Sequence, residues 1–244
     1  MHAFNDAGAL LTLWEAALGE AAGARGDALL CASPESAQPA KTLGERNARL
    51  LDLHERLFGR DIELLSQCPA CHTVAQFSGN CDALAARMPG LAEAPTHRLE
   101  AQGHVVEFRL PDSADIASAA SIENTEAFVQ LLLDRCVLAC TCDGHDVAVR
   151  QLPEPVLDAL SQRMEALDPG ASVSFALDCP QCAARWEAPL DVGEMLWQKV
   201  RTGAERMLLD IDALARIYGW TEREVLGLSP LRRAAYLQMA TAGG

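Results

Sequence analysis

Ile62-Glu63-Leu64-Leu65-Ser66 leads into Cys68-Pro69-Ala70-Cys71, and Thr73-Val74-Ala75-Gln76-Phe77 leads out of it. The pattern returns later, where Ser172-Val173-Ser174-Phe175-Ala176-Leu177 enters Cys179-Pro180-Gln181-Cys182 and Arg185-Trp186-Glu187-Ala188 leaves. Each stretch reads as strand, cysteine knuckle, strand, with an aromatic on the outgoing strand (Phe77, Trp186), so the two form a weak internal repeat. A tetrahedral zinc ion takes four soft ligands, and two Cys-Pro-x-Cys knuckles supply four thiolates. The pairs stand 107 residues apart. One Zn2+ shared by Cys68, Cys71, Cys179 and Cys182 would clamp the middle of the chain to its end and fix the architecture. Four thiolates close the coordination shell, which makes such a site structural, because a catalytic zinc keeps one position open. Zinc-finger peptides gain roughly 10–16 kcal/mol from their metal, so the expected contribution is large.

Two other readings of the cysteines stay open at this level. Cys-Pro-x-Cys also serves as a redox dithiol, but there the first cysteine starts a helix whose dipole lowers its pKa. Here the residues after Cys71 and Cys182 read as strand. The rival metal set is Cys68, Cys71, Cys140 and Cys142. Cys140-Thr141-Cys142 has a single intervening residue, a poor fit to a knuckle, and reads more simply as a partly buried pair after a helix. Cys136 lies on an apolar helix face and reads as core. His72, Cys81 and His145 are further soft donors, and Cys31 has no partner pattern.

Half of the 244 residues are apolar, enough to bury a sizeable core in one large domain or two small ones. Ala and Leu dominate while Phe, Trp and Tyr make up only 5%, which favours helix. The net charge of −14 opposes a nucleic-acid binder, which needs clustered Lys and Arg to displace counterions. No window holds 18 uninterrupted apolar residues, so no membrane partner is expected. Met1-His2-Ala3-Phe4-Asn5-Asp6 has no basic region followed by an apolar run, so no signal peptide is expected either. In a reducing cytoplasm cysteine serves metal, catalysis or packing rather than disulfides. No Gly-rich phosphate loop, His-Glu-x-x-His helix or Gly-x-Ser-x-Gly elbow appears. Glu123, Glu126 and Asp134 read as solvated helix faces, and His54, His97 and His104 as surface or packing residues. The expectation is a non-enzyme with no small-molecule substrate.

Outward from the knuckles, residues 1–60 read as a helical N-terminal segment. Leu10, Leu11, Leu13, Trp14, Ala17 and Leu18 share a face, Leu29-Leu30 opens another short helix, and residues 33–39 break the pattern as a loop. Leu50, Leu53, Leu57 and Phe58 recur at helical spacing up to a stop at Gly59. Residues 61–190 read as a zinc-ribbon-like β module, with a hairpin across Gln102-Gly103 and a helical insertion over about 111–170. Within the insertion Ser121 is a candidate cap, and Pro153-Glu154-Pro155 opens a second helix. Residues 191–244 form a C-terminal helical segment. Asp191 with Glu194 starts it, a stripe from Leu196 to Tyr218 sustains it, and Gly219 stops it. Thr221 with Glu224 matches a capping box, and Ser229-Pro230 opens a last helix.

The run Asp212-Ala213-Leu214-Ala215-Arg216-Ile217-Tyr218-Gly219-Trp220-Thr221-Glu222-Arg223-Glu224-Val225-Leu226-Gly227-Leu228-Ser229-Pro230-Leu231-Arg232-Arg233-Ala234-Ala235-Tyr236-Leu237 resembles the ending of the baseplate protein family of T-even-like phages. That family is met in contractile-tailed phages and in phage-derived contractile injection particles. Gly44-Glu45-Arg46-Asn47-Ala48-Arg49-Leu50-Leu51, Phe108-Arg109-Leu110-Pro111-Asp112-Ser113-Ala114-Asp115 and the second knuckle with Trp186 are similar to it as well, so the resemblance spans about residues 9–240. It implies a non-enzymatic baseplate or hub component, cytoplasmic during assembly, whose partners are other tail proteins. It leaves open whether the protein stays in the phage tail or injection particle, or is a transient tail-assembly chaperone, for example for the tape measure protein. Cys140 and Cys142 depart from the family's pattern. What carries over is the four knuckle cysteines as metal ligands and residues 212–237 as a docking element.

Within that element Arg216, Arg232 and Arg233 beside Trp220, Tyr236 and Tyr218 offer the aromatic-plus-arginine mix that anchors interfaces. The competing reading makes the aromatics core between three short helices. The expected fold is α+β and mostly helical, with two zinc-knuckle β-hairpins sharing one structural zinc and helical segments at both chain ends.

Overall fold

A computed structural model describes residues 7–34, 39–86, 88, 95–122 and 124–242; the expectations for residues 1–6, for loop positions 35–38 and for Glu123 fall outside them. Three helices come first, α1 (Ala7–Leu18), α2 (Ala22–Ala32) and α3 (Leu43–Phe58), followed by the hairpin β1 (Asp61–Gln67) and β2 (Val74–Asn80) and the short helix α4 (Cys81–Ala85). A middle section holds β3 (His97–Ala101), β4 (His104–Phe108), α5 (Ser113–Ala119), α6 (Thr125–Cys136), β5 (Val137–Cys142), β6 (His145–Asp146) and α7 (Glu154–Leu167). The second knuckle hairpin is β7 (Ser174–Asp178) and β8 (Arg185–Pro189). Three helices end the chain, α8 (Val192–Tyr218), α9 (Glu222–Leu226) and α10 (Pro230–Ala242). The fold is α+β, with helices around small antiparallel sheets. No described helix is long and apolar enough to cross a membrane.

The helices begin and stop where their chemistry dictates. Thr42 caps α3 by accepting from Glu45 N–H at 3.2 Å, and Gly59, at φ 86°, ends it. Thr221 and Glu224 form a reciprocal capping box on α9. Asp191 caps α8, but the Glu194 carboxylate turns away to Arg25 at 3.1 Å, so only half of the expected box exists. Asn124, not Ser121, caps α6.

The middle section departs from the expected helical insertion. Gln102-Gly103 makes the foreseen turn, with φ of 49° and 78°. Asp143-Gly144 adopts the same conformation, at 49° and 81°, and turns β5 into β6. The result is a four-stranded sheet in the order β3-β4-β5-β6, with Val106 opposite Cys140 and His104 opposite Cys142. Val106, Phe108 and Cys140 face Val156 and Leu160 of α7 to form one core. Cys140 and Cys142 are a partly buried pair directly after α6, as read from the sequence, and both lie on strand β5.

The other two cores share one helix. At 27 residues α8 runs about 40 Å. Its first half buries Leu196, Trp197 and Val200 against Leu10, Leu29 and Leu50 of the N-terminal helices. Its second half buries Ala204, Met207, Ile211 and Leu214 against Ala7, Leu11 and Val225. One apolar stripe thus joins both chain ends.

Polar contacts set where the knuckle hairpins leave this body. The Asp168 carboxylate, just after α7, accepts from Gly44 N–H at 2.9 Å, capping α3 from outside. Asn47 Nδ2 donates to Gly170 O at 2.8 Å. A Cβ on Gly44 would lie 1.7 Å from Asp168 Oδ1, so this approach requires glycine. Asp27 of α2 accepts from Arg46 at 3.0 Å and from the Ser113 hydroxyl at 2.8 Å, while Leu43 N–H donates to Pro111 O. Asp115 is fully buried and accepts from Arg109 at 2.6 and 2.8 Å, from Arg135 at 2.7 Å and from Asp112 N–H at 3.0 Å.

Burial alone would raise the Asp115 pKa, but Arg109, the Asp112 amide and Arg135 outweigh it and hold the carboxyl well below the usual range. Asp115→Ala leaves two guanidinium groups without their carboxylate and is expected to cost about 3–5 kcal/mol in urea unfolding at neutral pH. His54 is buried, with Nδ1 3.4 Å from Cys81 Sγ, and burial followed by the nearby Lys199 charge lowers its pKa to about 4. A histidine kept neutral by folding contributes stability in full above the unfolded pKa of about 6.5 and loses it as pH falls toward the folded value. Unfolding free energies should therefore drop by roughly 2–3 kcal/mol from this group between pH 6.5 and pH 4. In His54→Leu that part of the slope should disappear.

Candidate metal centre

Both knuckles are built the same way. In the first, Cys68 N–H donates to Thr73 O at 3.0 Å and His72 N–H to Cys68 O at 2.9 Å. In the second, Cys179 N–H donates to Ala184 O at 2.9 Å and Ala183 N–H to Cys179 O at 3.0 Å. The residue after each second cysteine takes a left-handed conformation, His72 at φ 59° and Ala183 at φ 57°. Neither is glycine, so each knuckle stores about 1–2 kcal/mol of backbone strain. Pro69 and Pro180 fix the first turn residue at the φ a turn needs.

The equivalence extends well beyond the turns. A shift of 111 residues carries Cys68 onto Cys179 and the pair Gln67–Val74 onto Asp178–Arg185 in strand register. The same shift carries Asn80, which caps α4, onto Asp191, which caps α8, and the first residue of α3 onto the first of α7. Helix, strand, knuckle, strand and cap recur in step. The copies part at the following helix, which stops after five residues in α4 and runs for 27 in α8.

The two tips meet. All four Sγ atoms lie within 4.8 Å of one another, with Cys71–Cys179 at 3.6 Å and Cys68–Cys182 at 3.7 Å. A disulfide needs about 2.05 Å, so these are free sulfurs. A metal–sulfur bond of about 2.3 Å in a tetrahedron demands sulfur–sulfur edges of about 3.8 Å. The donor set and its spacing fit a tetrahedral dication.

Behind the sulfurs Phe77 and Trp186 meet edge-to-face at 5.7 Å, and Gly79 leaves room for the Phe175 ring, which a Cβ there would approach to 2.7 Å. Cys68 and Cys179 are buried, Cys71 is half-buried and Cys182 exposed.

Cys71 and Cys182 are pushed in opposite directions. The Thr73 hydroxyl and amide hold Cys71 down at about 6. At Cys182 the Ala184 amide favours the thiolate, yet the sulfurs of Cys71, Cys179 and Cys68 push it up to about 12. A bound dication favours the thiolate at every sulfur, so metal uptake releases protons.

The rival ligand set is not assembled. Among the described residues these four cysteines are the one group of three or more His, Cys, Asp or Glu side chains placed to hold a metal. Cys136 is packed 3.9 Å from Asp115, and burial followed by that carboxylate raises its thiol to about 11. Cys81 is buried against His54. Both knuckles run into strands β2 and β8 rather than helices, so neither first cysteine has the helix N-terminus of a redox dithiol.

At the other end of the chain Tyr218, Trp220 and Tyr236 form one ring cluster, with centroids 4.7, 4.8 and 5.7 Å apart. They close the corner between α8 and α10, leaving Trp220 and Tyr236 half-buried. Arg216, 77% exposed, pairs with Asp212, and Arg232 is exposed beside Leu231, itself 84% exposed. Arg233 corrects the expectation. It is 6% exposed and turns inward to Asp210 at 3.6 Å, so it is not presented to a partner.

Comparison with family models, with curated proteins and with solved structures finds no match, so the chemistry of this centre rests on its geometry. Titration of the reduced protein with Co2+ is expected to saturate at one ion per chain and to give the strong thiolate-to-metal absorption of a tetrahedral four-sulfur site. Cys179→Ser should weaken that binding beyond the roughly 10–100-fold typical of losing an outer-shell contact. Saturation at a different stoichiometry, or unchanged affinity in the variant, would contradict the assignment.

Proposed function

We propose that this chain is a non-enzymatic structural or assembly component of a contractile tail, in the baseplate or its hub, and that its four-sulfur centre holds a structural Zn2+. The convergence of four sulfurs at tetrahedral spacing carries the metal half of the reading. Thiolates select zinc or iron, and a closed shell leaves no site for water or substrate. Held there, the cation ties the hairpin that follows α3 to the hairpin that precedes α8, so helices from both chain ends keep one relative orientation.

The tail half is supported by the similarity of residues 44–51, 108–115, 179–186 and 212–237 to the baseplate family. Several of those positions have visible structural work. Gly44 admits Asp168, Asn47 reaches Gly170, Asp112 caps α5 and Asp115 anchors two arginines. The C-terminal stretch presents Arg216, Leu231 and Arg232 at a corner packed by the three-ring cluster. That is a suitable contact surface for another tail protein, and it can be altered without touching the core.

A second reading, a chaperone that binds a tail protein during assembly and then leaves, uses the same surface. Purified mature particles separate the two. A structural part is present at fixed copy number, whereas a chaperone is found only in assembly intermediates. Arg232→Glu together with Leu231→Asp is expected to leave metal content and unfolding midpoint unchanged. It should lower incorporation, or co-purification with the tail partner, by roughly tenfold or more. A chain found in neither particles nor intermediates would refute both forms of the proposal. The metal is tested separately, by elemental analysis of protein purified without added metal.

A further inference from the structure

The repeat gives each knuckle an inner and an outer sulfur. Cys68 and Cys179, the first of each pair, are buried, while Cys71 is half-buried and Cys182 is exposed. Cys182 interacts with Cys179 of its own knuckle, and across the knuckles outer Cys182 meets inner Cys68 at 3.7 Å and outer Cys71 meets inner Cys179 at 3.6 Å. Covalent bonding at about 2.05 Å needs each of these pairs to close by under about 2 Å. The Phe77–Trp186 contact and the seat of Phe175 against Gly79 hold the hairpins together during such a movement.

We propose that oxidation of this centre forms the crossed disulfides Cys68–Cys182 and Cys71–Cys179, so that a covalent clamp replaces the metal clamp instead of opening it. The inference rests on the metal reading above for the starting state only. The co-reactant is a two-electron oxidant such as hydrogen peroxide. The Cys182 thiolate attacks one peroxide oxygen, the O–O bond breaks, and the departing hydroxide is neutralised by a proton from the buffer. Cys68 then attacks the sulfur of the resulting sulfenic acid, the S–S bond forms, and a second hydroxide leaves and is protonated. The two thiolates of each pair thus give two electrons to one peroxide, which ends as two waters. A second peroxide does the same at Cys71 and Cys179. A cation held by these four sulfurs would lose its ligands and pass to solvent.

The connectivity decides the physical outcome. Disulfides within each knuckle would release the cation and leave the hairpins joined only by side-chain packing. Crossed disulfides close long loops through the folded chain and keep both hairpins in place. In a protein that passes from a reducing to an oxidising medium, this preserves the architecture after the metal is lost.

The test treats the metal-loaded protein with hydrogen peroxide beside a chromogenic chelator, then maps tryptic peptides without reduction. The expected product joins the peptide spanning residues 61–87 to the peptide spanning 164–185, and it separates on reduction. Fragmentation should assign the bonds to Cys68–Cys182 and Cys71–Cys179. Metal release should track its formation, and the oxidised protein should melt above the chelator-stripped reduced protein. Recovery of the two peptides separately, each closed on itself, would overturn the proposal. So would oxidation that stops at sulfinic acid. Crossed disulfides in protein that never carried metal would sustain this inference while defeating the zinc reading, and metal-loaded protein yielding self-closed knuckles would do the reverse.

Discussion

Four sulfurs drawn from two places far apart in the chain must occupy a space 4.8 Å across, and most of the architecture answers to that requirement. Like-charged thiolates at this distance repel strongly unless a cation or shared protons intervene, so the packing behind them has to bring the hairpins together and hold them. It does so with an aromatic contact between Phe77 and Trp186 and with a glycine that lets Phe175 approach. A second level of control lies away from the sulfurs. Asp168 and Gly170, on the turn before β7, are fastened to the start of α3, and β1 follows the end of that helix. Polar contacts at their bases thus help to aim the hairpins at each other.

The same polar contacts link α2, α3 and α5. Asp27 lies between Arg46 and Ser113, and Pro111 receives the first amide of α3. Such contacts are directional, so they fix angles that apolar burial alone leaves loose. Burial supplies the larger share of the free energy, through an α8 stripe that serves two cores.

The knuckles were legible because their chemistry is local: two cysteines, a proline and flanking strand residues mark a cysteine turn between two strands. Helix ends were legible for the same reason, as Thr42, Gly59, Thr221 and Gly219 show. The choice of the second knuckle over Cys140 and Cys142 is a tertiary matter, and sequence alone left both sets open. Strand β5 was missed because Val137–Cys142 continues straight from an apolar helix, although Asp143-Gly144 carried the turn signal. Arg233 was misplaced for a different reason. Its residue type suggested the surface, yet its spacing from Tyr236 and Leu237 is that of one helix face, and that face is turned inward. Periodicity outranked polarity there.

The 111-residue shift has a consequence for how the centre forms. A polypeptide with a single helix–knuckle unit offers two sulfurs, which is half a tetrahedron, and completes a site only by meeting a second molecule. Carrying both units in tandem makes that encounter intramolecular, with an effective concentration set by the connecting chain rather than by how much protein the cell holds. The centre can therefore close at very low abundance, on a newly made chain that has not yet found any other copy of itself.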